Sequence, residues 1–510
     1  MENNIGKGGF FYPKIFRQSK DYVTKNFREG RIDHADFSFW TFSDKFMAYL
    51  LGAKFFEFAD KTYPTPRKKT EVPVWFLICC QLVMRMTNSH RYRDMNKLML
   101  NAGPVLLRVG FNVMSSKLGF NDKNRGERIV AIHQDTVRKF FKDTEPKLIQ
   151  RWYNQDMQDW FIRGKYYDNE GVYVLDQTHC VVPDNKNYKD AVMLPVDEHG
   201  QLYKGLEKMT KEERRALKYH PCYSLSLLMH ISTKKKSFHI AGYEWGPGSE
   251  DELSQADSIL KQFHEIHKIG TMKLLIVDRG YISGKFITFI KVEYECDVLL
   301  PLRTNMDQYK DAIALSKLKD TKWETFDERD EESGDLLARY KACTIKDIIL
   351  WDECKVKLYT TVVEKEYKKD DKWEKRKWVL ATTRKFRNPM GVVRTYALRV
   401  TIEERNRQFK NFWEIAQFPS PSAGLMESQV CFTLLAHSLL QSYLLRKDLE
   451  RETNKTITTL RGEDSLGINN VVTYVDDRYA IYDTKEAFGI INNLNTEKAR
   501  ERLQSWINKT

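Results

Sequence analysis

Three stretches of the chain carry residues able to do acid or metal chemistry. Val174-Leu-Asp176-Gln-Thr178 and Ile276-Val-Asp278-Arg-Gly-Tyr281 each place a carboxylate at or just beyond the end of a short apolar run that reads as a strand. Ligand sites in mixed α/β sheets collect at strand ends. An acid there can bind a metal, whereas one in mid-strand would be buried without a partner. The third stretch holds Tyr396, Arg399, Glu403 and Lys410. On one continuous helix, at about 100° per residue, all four fall within an arc of roughly 60°. One carboxylate then shares a face with a phenol, a guanidinium and an ammonium. Two kinds of face look like this. One is a solvated surface with an i,i+4 ion pair between Arg399 and Glu403. The other is a face for a metal-bound phosphodiester, with the acid on the metal and the cations on phosphate oxygens.

The elements that would position these acids can be read around them. Residues 223–231 and 237–245 form two alternating strands joined by a Lys-rich turn, which predicts an antiparallel hairpin. Residues 250–264 are amphipathic, with acids in the first turn as the helix dipole prefers. A strand is expected at 272–277, a helix at 285–291 and another strand at 297–302. The fold expected is α/β, a mixed sheet with flanking helices (166–302 and 386–450) interrupted by a mainly β insertion (303–385). An all-α domain (1–165) precedes it, and a mixed region (451–510) follows. In the first of these, Asp135 is placed to cap a helix over 136–142 in which Arg138, Lys139 and Lys142 flank Phe140 and Phe141, a pattern suited to DNA binding or to an ordinary solvated face. The apolar stretch 425–449 reads as a long helix, either an interface between two chains or a cover for the core.

Composition narrows the function classes. The 510 residues include 83 Lys+Arg against 70 Asp+Glu, a formal charge of +13 that favours a polyanionic partner. With 42% apolar and 13% aromatic residues, wholesale disorder is excluded. Mean hydropathy is −0.57, and the longest near-apolar stretch, 72–84, falls short of the ~20 residues a membrane span needs. The first fourteen residues have no apolar run of leader type, and eight cysteines never form C-x-x-C, so reduced thiols in a cytosol are expected. His264-Glu-Ile-His267 lacks the i,i+4 spacing of a zinc-protease helix, and no phosphate-loop motif is present. His179 reads as structural, Lys234–Lys236 as a solvated hairpin tip or a DNA contact, and Trp323, Trp351 and Trp373 as packing residues of the insertion.

Tyr396-Ala-Leu-Arg399-Val-Thr-Ile-Glu403, with Lys410 seven positions on, matches at every spacing the Y-x2-R-x3-E-x6-K signature of DDE transposases of insertion-sequence family four. Asp176-Gln-Thr178 resembles that family's first-acid motif, Asp278-Arg-Gly-Tyr281 its second, and Lys377-Trp378-Val-Leu-Ala-Thr382 the segment supplying a base-stacking Trp. The resemblance covers roughly 171–445. It implies an RNase H-like core in which Asp176, Asp278 and Glu403 are catalytic and bind two Mg²⁺ or Mn²⁺ ions, while Tyr396, Arg399, Lys410 and Trp378 contact DNA. It also implies cut-and-paste transposition through hairpin ends. The partners would be inverted-repeat end DNA and target DNA, handled by a DNA-bound homodimer in a prokaryotic cytoplasm at the nucleoid, with no membrane involved. An RNase H-like nuclease or resolvase is opposed by the Tyr-Arg-Glu-Lys face, and a domesticated DNA-binding derivative by the presence of all three acids. A carboxylate-pair glycosidase is opposed by the basic charge.

Overall fold

The computed structural model describes residues 17–38, 41–67, 72–95, 132–197, 201–203, 205–206, 209–330, 333–345, 351–369, 372–446, 456–465 and 470–508. The segment read for a leader, the 370–371 turn and the end of the 425–449 stretch lie outside them. The chain forms two compact units, Gln158–Arg407 and the combination of Met1–Met157 with Gln408–Thr510.

The Gln158–Arg407 unit is built on one mixed sheet. Its strands are β1 (Val172–Val181), β2 (Val192–Leu194), β3 (His220–Ser232), β4 (Ser237–Pro247), β5 (Leu274–Ile276), β6 (Asp297–Pro301), β7 (Glu324–Arg329), β8 (Leu336–Ile345), β9 (Tyr359–Lys369) and β10 (Lys372–Thr382). Among the described residues the order is β2-β3-β1-β5-β6-β10-β9-β8-β7, with β4 sharing the outer edge of β3 with β2. β1, β5 and β6 run parallel, and the remaining pairs are antiparallel. The hairpin expected from the alternation is β3–β4. The β-rich insertion is continuous with the core sheet, because β10 pairs with β6 through Leu380, Ala381 and Thr382.

Both faces of this sheet are buried, with Val174, Leu227, Leu274, Ile276 and Leu299 on one and a large apolar cluster on the other. Tyr173, Leu175, Leu275 and Val277 point into it from β1 and the β5 segment. There they meet Ile259, Leu260 and Phe263 of helix α1 (Glu252–Ile266), Ile287 and Ile290 of α2 (Gly284–Glu293) and Ala312 of α3 (Asp307–Leu315). Each such side chain contributes about 1.5–3 kcal/mol on burial, enough to hold the three-residue β5 between two longer neighbours. Asp251 caps α1 by accepting from the Ser254 amide, and Ser283 caps α2 by accepting from Phe286. Because side chains alternate along a strand, Val174 and Asp176, like Ile276 and Asp278, point to the face opposite this core.

Four expectations change here. β1 does not end at Asp176 but continues to Val181, since β3 pairs with it throughout; only its parallel pairing with β5 stops, at Val174 opposite Ile276. Asp176 is therefore in mid-strand yet open on one flank. The one continuous helix expected to carry Tyr396, Arg399, Glu403 and Lys410 is two helices, α4 (Pro389–Ala397) and α5 (Arg399–Asn411), with Leu398 between them, so Tyr396 sits on a different helix from Glu403. Trp373 is 51% exposed near the start of β10, whereas Trp323 and Trp351 pack against the core. Asp135 is not the cap of its helix: the segment Gln134–Asp143 is capped by His133, whose side chain accepts from the Asp135 amide.

The other unit is mainly helical, but not wholly so. Arg17–Gln18 and His34–Ser38 are strands in a small sheet with Asn470–Val475 and Arg478–Asp483, a long-range pairing invisible to local periodicity. Its centre is the helix Ala423–Arg446, buried from Gly424 to Leu444 beneath Val74–Met86, Gln134–Asp143 and Pro146–Trp152. A Cβ at Gly424 would lie 2.6–2.8 Å from the carbonyls of Phe141, Lys142 and Thr144, so this crossing requires glycine. Buried from Gly424 to Leu444, this helix covers the core of its own unit, and that stretch offers no face to a second chain. All eight cysteines are buried and free.

Candidate active site

β1, the turn after β5, and α5 bring Asp278 and Glu403 into the electrostatic field of Asp176. Beyond Val174 the β5 flank of β1 is open, and α5 fills that space. Asn406 donates from Nδ2 to Asp176 Oδ2 at 2.9 Å, and an Arg399 guanidinium nitrogen lies 3.5 Å from Oδ1. The same guanidinium pairs with Glu403 one turn along α5, so Arg399 bridges two of the three acids. The Asp176 and Arg399 side chains are 14% and 19% exposed, whereas Glu403, at 48%, faces solvent.

Asp278 caps the short turn Arg279–Tyr281 by accepting from the Gly280 amide. A Cβ at Gly280 would lie 1.6 Å from Glu252 Oε2 and 2.9 Å from Asp278 Oδ1, so at most about 4.5 Å separates those two carboxylate oxygens. A side chain here would have to displace the Glu252 carboxylate, because the first residue of α1 passes against the turn that presents the second acid. Glu252 is thus a fourth carboxylate at the site.

The electrostatics follow from this crowding. Burial, with added repulsion from Asp278, Glu403 and Glu252, pushes the Asp176 carboxyl up to about 7, against the opposing pull of Arg399. Burial and the nearby charges of Asp278 and Asp251 push Glu252 up to about 7, with Arg303 opposing. Burial pushes the Tyr396 phenol up to about 12, against Arg399. Burial alone would lower Arg399, but Tyr396 and the three acids outweigh it and raise its pKa. One guanidinium therefore leaves the acids under-neutralised.

That charge deficit bears on metal binding. Among the described residues no three His, Cys, Asp or Glu side chains are already gathered around one metal position. The donors nonetheless suit a hard divalent cation: carboxylate oxygens in excess of their counter-charges, and the buried Asn406 Oδ1, which has no hydrogen-bond partner. Asp176, Asp278 and Glu403 fit such an ion in chemistry.

Lys410 is in the last turn of α5 and is not among the principal charges acting on Asp176. Trp378 is half-buried on β10 opposite Val363, with the Arg376 guanidinium 6.0 Å from its ring centre. His179 is near Gly248, its Nε2 lying 3.2 Å from that carbonyl oxygen. Sequence reasoning missed Asn406, although its i+3 spacing from Glu403 was available. It also missed Glu252, whose place at a helix start reads as dipole complementation until Gly280 is seen beside it.

Among the described residues no helix is long and apolar enough to cross a membrane. No curated protein matches the chain significantly. The family model for the transposase DDE domain matches residues 168–439, which spans every acid of the site and more than half of the 510 positions. A mixed sheet with flanking helices, three acids from separated segments and that match agree with an RNase H-like catalytic core, and the chain belongs to the DDE transposases.

Proposed function

We propose that this transposase cleaves DNA at the ends of its element and joins the freed ends to target DNA by a cut-and-paste route through hairpin ends. The observation that carries the reading is the Arg399 bridge between Asp176 and Glu403 within the field of Asp278. Asp176, Asp278 and Glu403 would hold two divalent ions, Mg²⁺ or Mn²⁺. Bound there, such ions supply an activated water and charge neutralisation at the scissile phosphodiester.

The side chains have separable tasks. Asn406 fixes one oxygen of Asp176 and leaves the other directed towards Arg399. Arg399 holds the acids together before DNA arrives, and its planar fork can then turn to phosphate oxygens. Tyr396 and Lys410 would complete the grip on the phosphates next to the cut. Hydrolysis leaves a 3′ hydroxyl, whose attack on the opposite strand's phosphodiester closes a hairpin and releases the flanking DNA through its own 3′ oxygen. Flipping a base out for that closure costs a few kcal/mol, and stacking on an aromatic ring returns about 1–3 kcal/mol, the task assigned to Trp378. Two ends must be processed together, so a DNA-bound homodimer is part of the proposal, acting at the nucleoid of a prokaryotic cytoplasm.

The test is cleavage of end-labelled duplex, with and without the element's terminal inverted repeats, in the presence of Mg²⁺. Strand-specific nicks confined to repeat ends are expected. Nicks independent of the repeats would point instead to a general nuclease. Asp176→Asn should abolish nicking and leave end binding nearly intact; equal loss of both would make Asp176 a folding residue.

A further inference from the structure

The acids lie at one end of the parallel strands, and a cavity of about 790 Å³ lies at the other. It is lined by segments that precede β1 and β5 and by the tip of the β3–β4 hairpin, including Lys165, Asp168, Glu170, Lys235, His267 and Lys268. β3 runs antiparallel to β1, with His230 opposite Tyr173, which brings the hairpin tip beside the start of β1. From Val172 to Asp176 the strand covers only about 13 Å, so cavity and acids are two ends of one short scaffold.

The charges of the cavity are unevenly committed. Glu170 pairs with Lys234 at 3.2 Å and accepts from the Thr233 hydroxyl, and Asp168 lies 3.2 Å from His230 Nε2. Lys165, Lys235 and Lys268 are exposed, and among the described residues none has a carboxylate within ion-pair distance. His267 lines the cavity at 3% exposure, stacked on Phe263 with ring centres 4.0 Å apart. Its Nε2 is buried without a hydrogen-bond partner. Such an orphan costs free energy unless something enters to meet it. Burial pushes this imidazole down to about 3, so it is neutral and can donate from Nε2.

We propose that this cavity is a second DNA contact, in which Lys165, Lys235 and Lys268 around its rim hold backbone phosphates of a duplex. The reading rests on the proposed handling of DNA. An extended polyanion fits better than a small free phosphate for two reasons. The three ammonium groups come from three separate segments around the rim. The C-terminal end of α1, beside His267, also carries negative partial charge that would repel a compact anion at the floor. Lysines are point charges without planar recognition, so the contact would be independent of base sequence.

The test compares the full chain with a triple variant, Lys165→Asn, Lys235→Gln and Lys268→Gln. Asparagine is chosen at 165 because Lys165 has φ +58°, which asparagine tolerates. Duplex affinity without terminal repeats is measured across a salt series, alongside melting temperature and nicking at repeat ends. The expected result is a salt slope shallower by about 2–3, at roughly 0.9 per lost phosphate contact, and at least about tenfold weaker binding at low salt. Nicking at repeat ends and melting temperature should be retained. An unchanged slope with nicking intact would overturn the cavity assignment alone. Absence of duplex binding by the unmodified chain would overturn both the assignment and the DNA reading. Inorganic phosphate raising the melting temperature of the unmodified chain, but not of the variant, would reassign the cavity to a free anion and overturn the duplex contact.

Discussion

The two ends of the parallel strands differ in the sign of their charge and in how that charge is held. At the C-terminal end, Asp176 is buried and Glu252 half-buried, both pushed up to about 7 by burial first and by neighbouring acids second. At the N-terminal end, three lysines are exposed, and the neighbouring acids are occupied by Lys234, Thr233 and His230. Buried charge of one sign is costly and persists where a counter-ion is expected to arrive. Exposed charge of the opposite sign costs little and acts over a screened distance. The contrast separates a site for chemistry from a surface for attachment on one sheet.

The largest effect should come from removing chemistry without attachment. Asp176→Asn should lower nicking by at least about 10³-fold while leaving the salt slope of duplex binding unchanged, measured by gel cleavage and fluorescence titration. A change in both would merge the two ends into one site. Next in size is the pH dependence of stability. The folded-state pKa of Asp176 is raised, so its favourable contribution is complete below the unfolded value and is lost as pH rises through about 7. Without divalent metal, the unmodified chain should therefore melt higher at pH 5.5 than at pH 8. At pH 8 Asp176→Asn should stabilise by on the order of 1–3 kcal/mol, at about 2–4 °C per kcal/mol for a unit of this size. Mg²⁺ added at pH 8 should raise the melting temperature of the unmodified chain and have little effect on the variant.

Much of this contrast was legible in the sequence, and the rest was hidden for physical reasons. Both aspartates and the β3–β4 hairpin show themselves by strand periodicity and turn residues, and Glu403 by its spacing from Tyr396, Arg399 and Lys410. The extension of β1 was hidden because Gln177, Thr178 and His179 look like loop residues. Their strand geometry comes from β3, 45 or more residues away in the chain. The break at Leu398 was hidden because Tyr396-Ala-Leu-Arg399 contains neither glycine nor proline. Glu252 was hidden because a first-turn acid has an adequate local explanation, and only its approach to Gly280 reveals a second one. The cavity was hidden because its lysines come from three segments, none of them basic enough to stand out except the hairpin tip.

Two smaller effects sharpen the acid end. Gly280→Ala should displace the Glu252 carboxylate and crowd that of Asp278. Glu252→Ala should relieve part of that cost, giving a coupling of about 0.5–3 kcal/mol in a double-mutant cycle read by thermal melting. Additive effects would mean that the two carboxylates are not neighbours. Arg399→Lys should keep the charge but lose the fork that reaches Asp176 and Glu403 together, weakening binding to repeat ends by about three- to tenfold in a direct titration. No change in that titration would leave Arg399 an ordinary ion pair.

The central claim is that Asp176, Asp278 and Glu403 form one metal-binding centre. Its most direct test is a crystal structure with Mn²⁺ and a terminal-repeat duplex, read by anomalous scattering. Two peaks about 3.5–4 Å apart are expected, ligated by all three acids beside a DNA phosphate. A structure with any one of these acids more than about 10 Å from the other two, or with Mn²⁺ bound elsewhere, would contradict it.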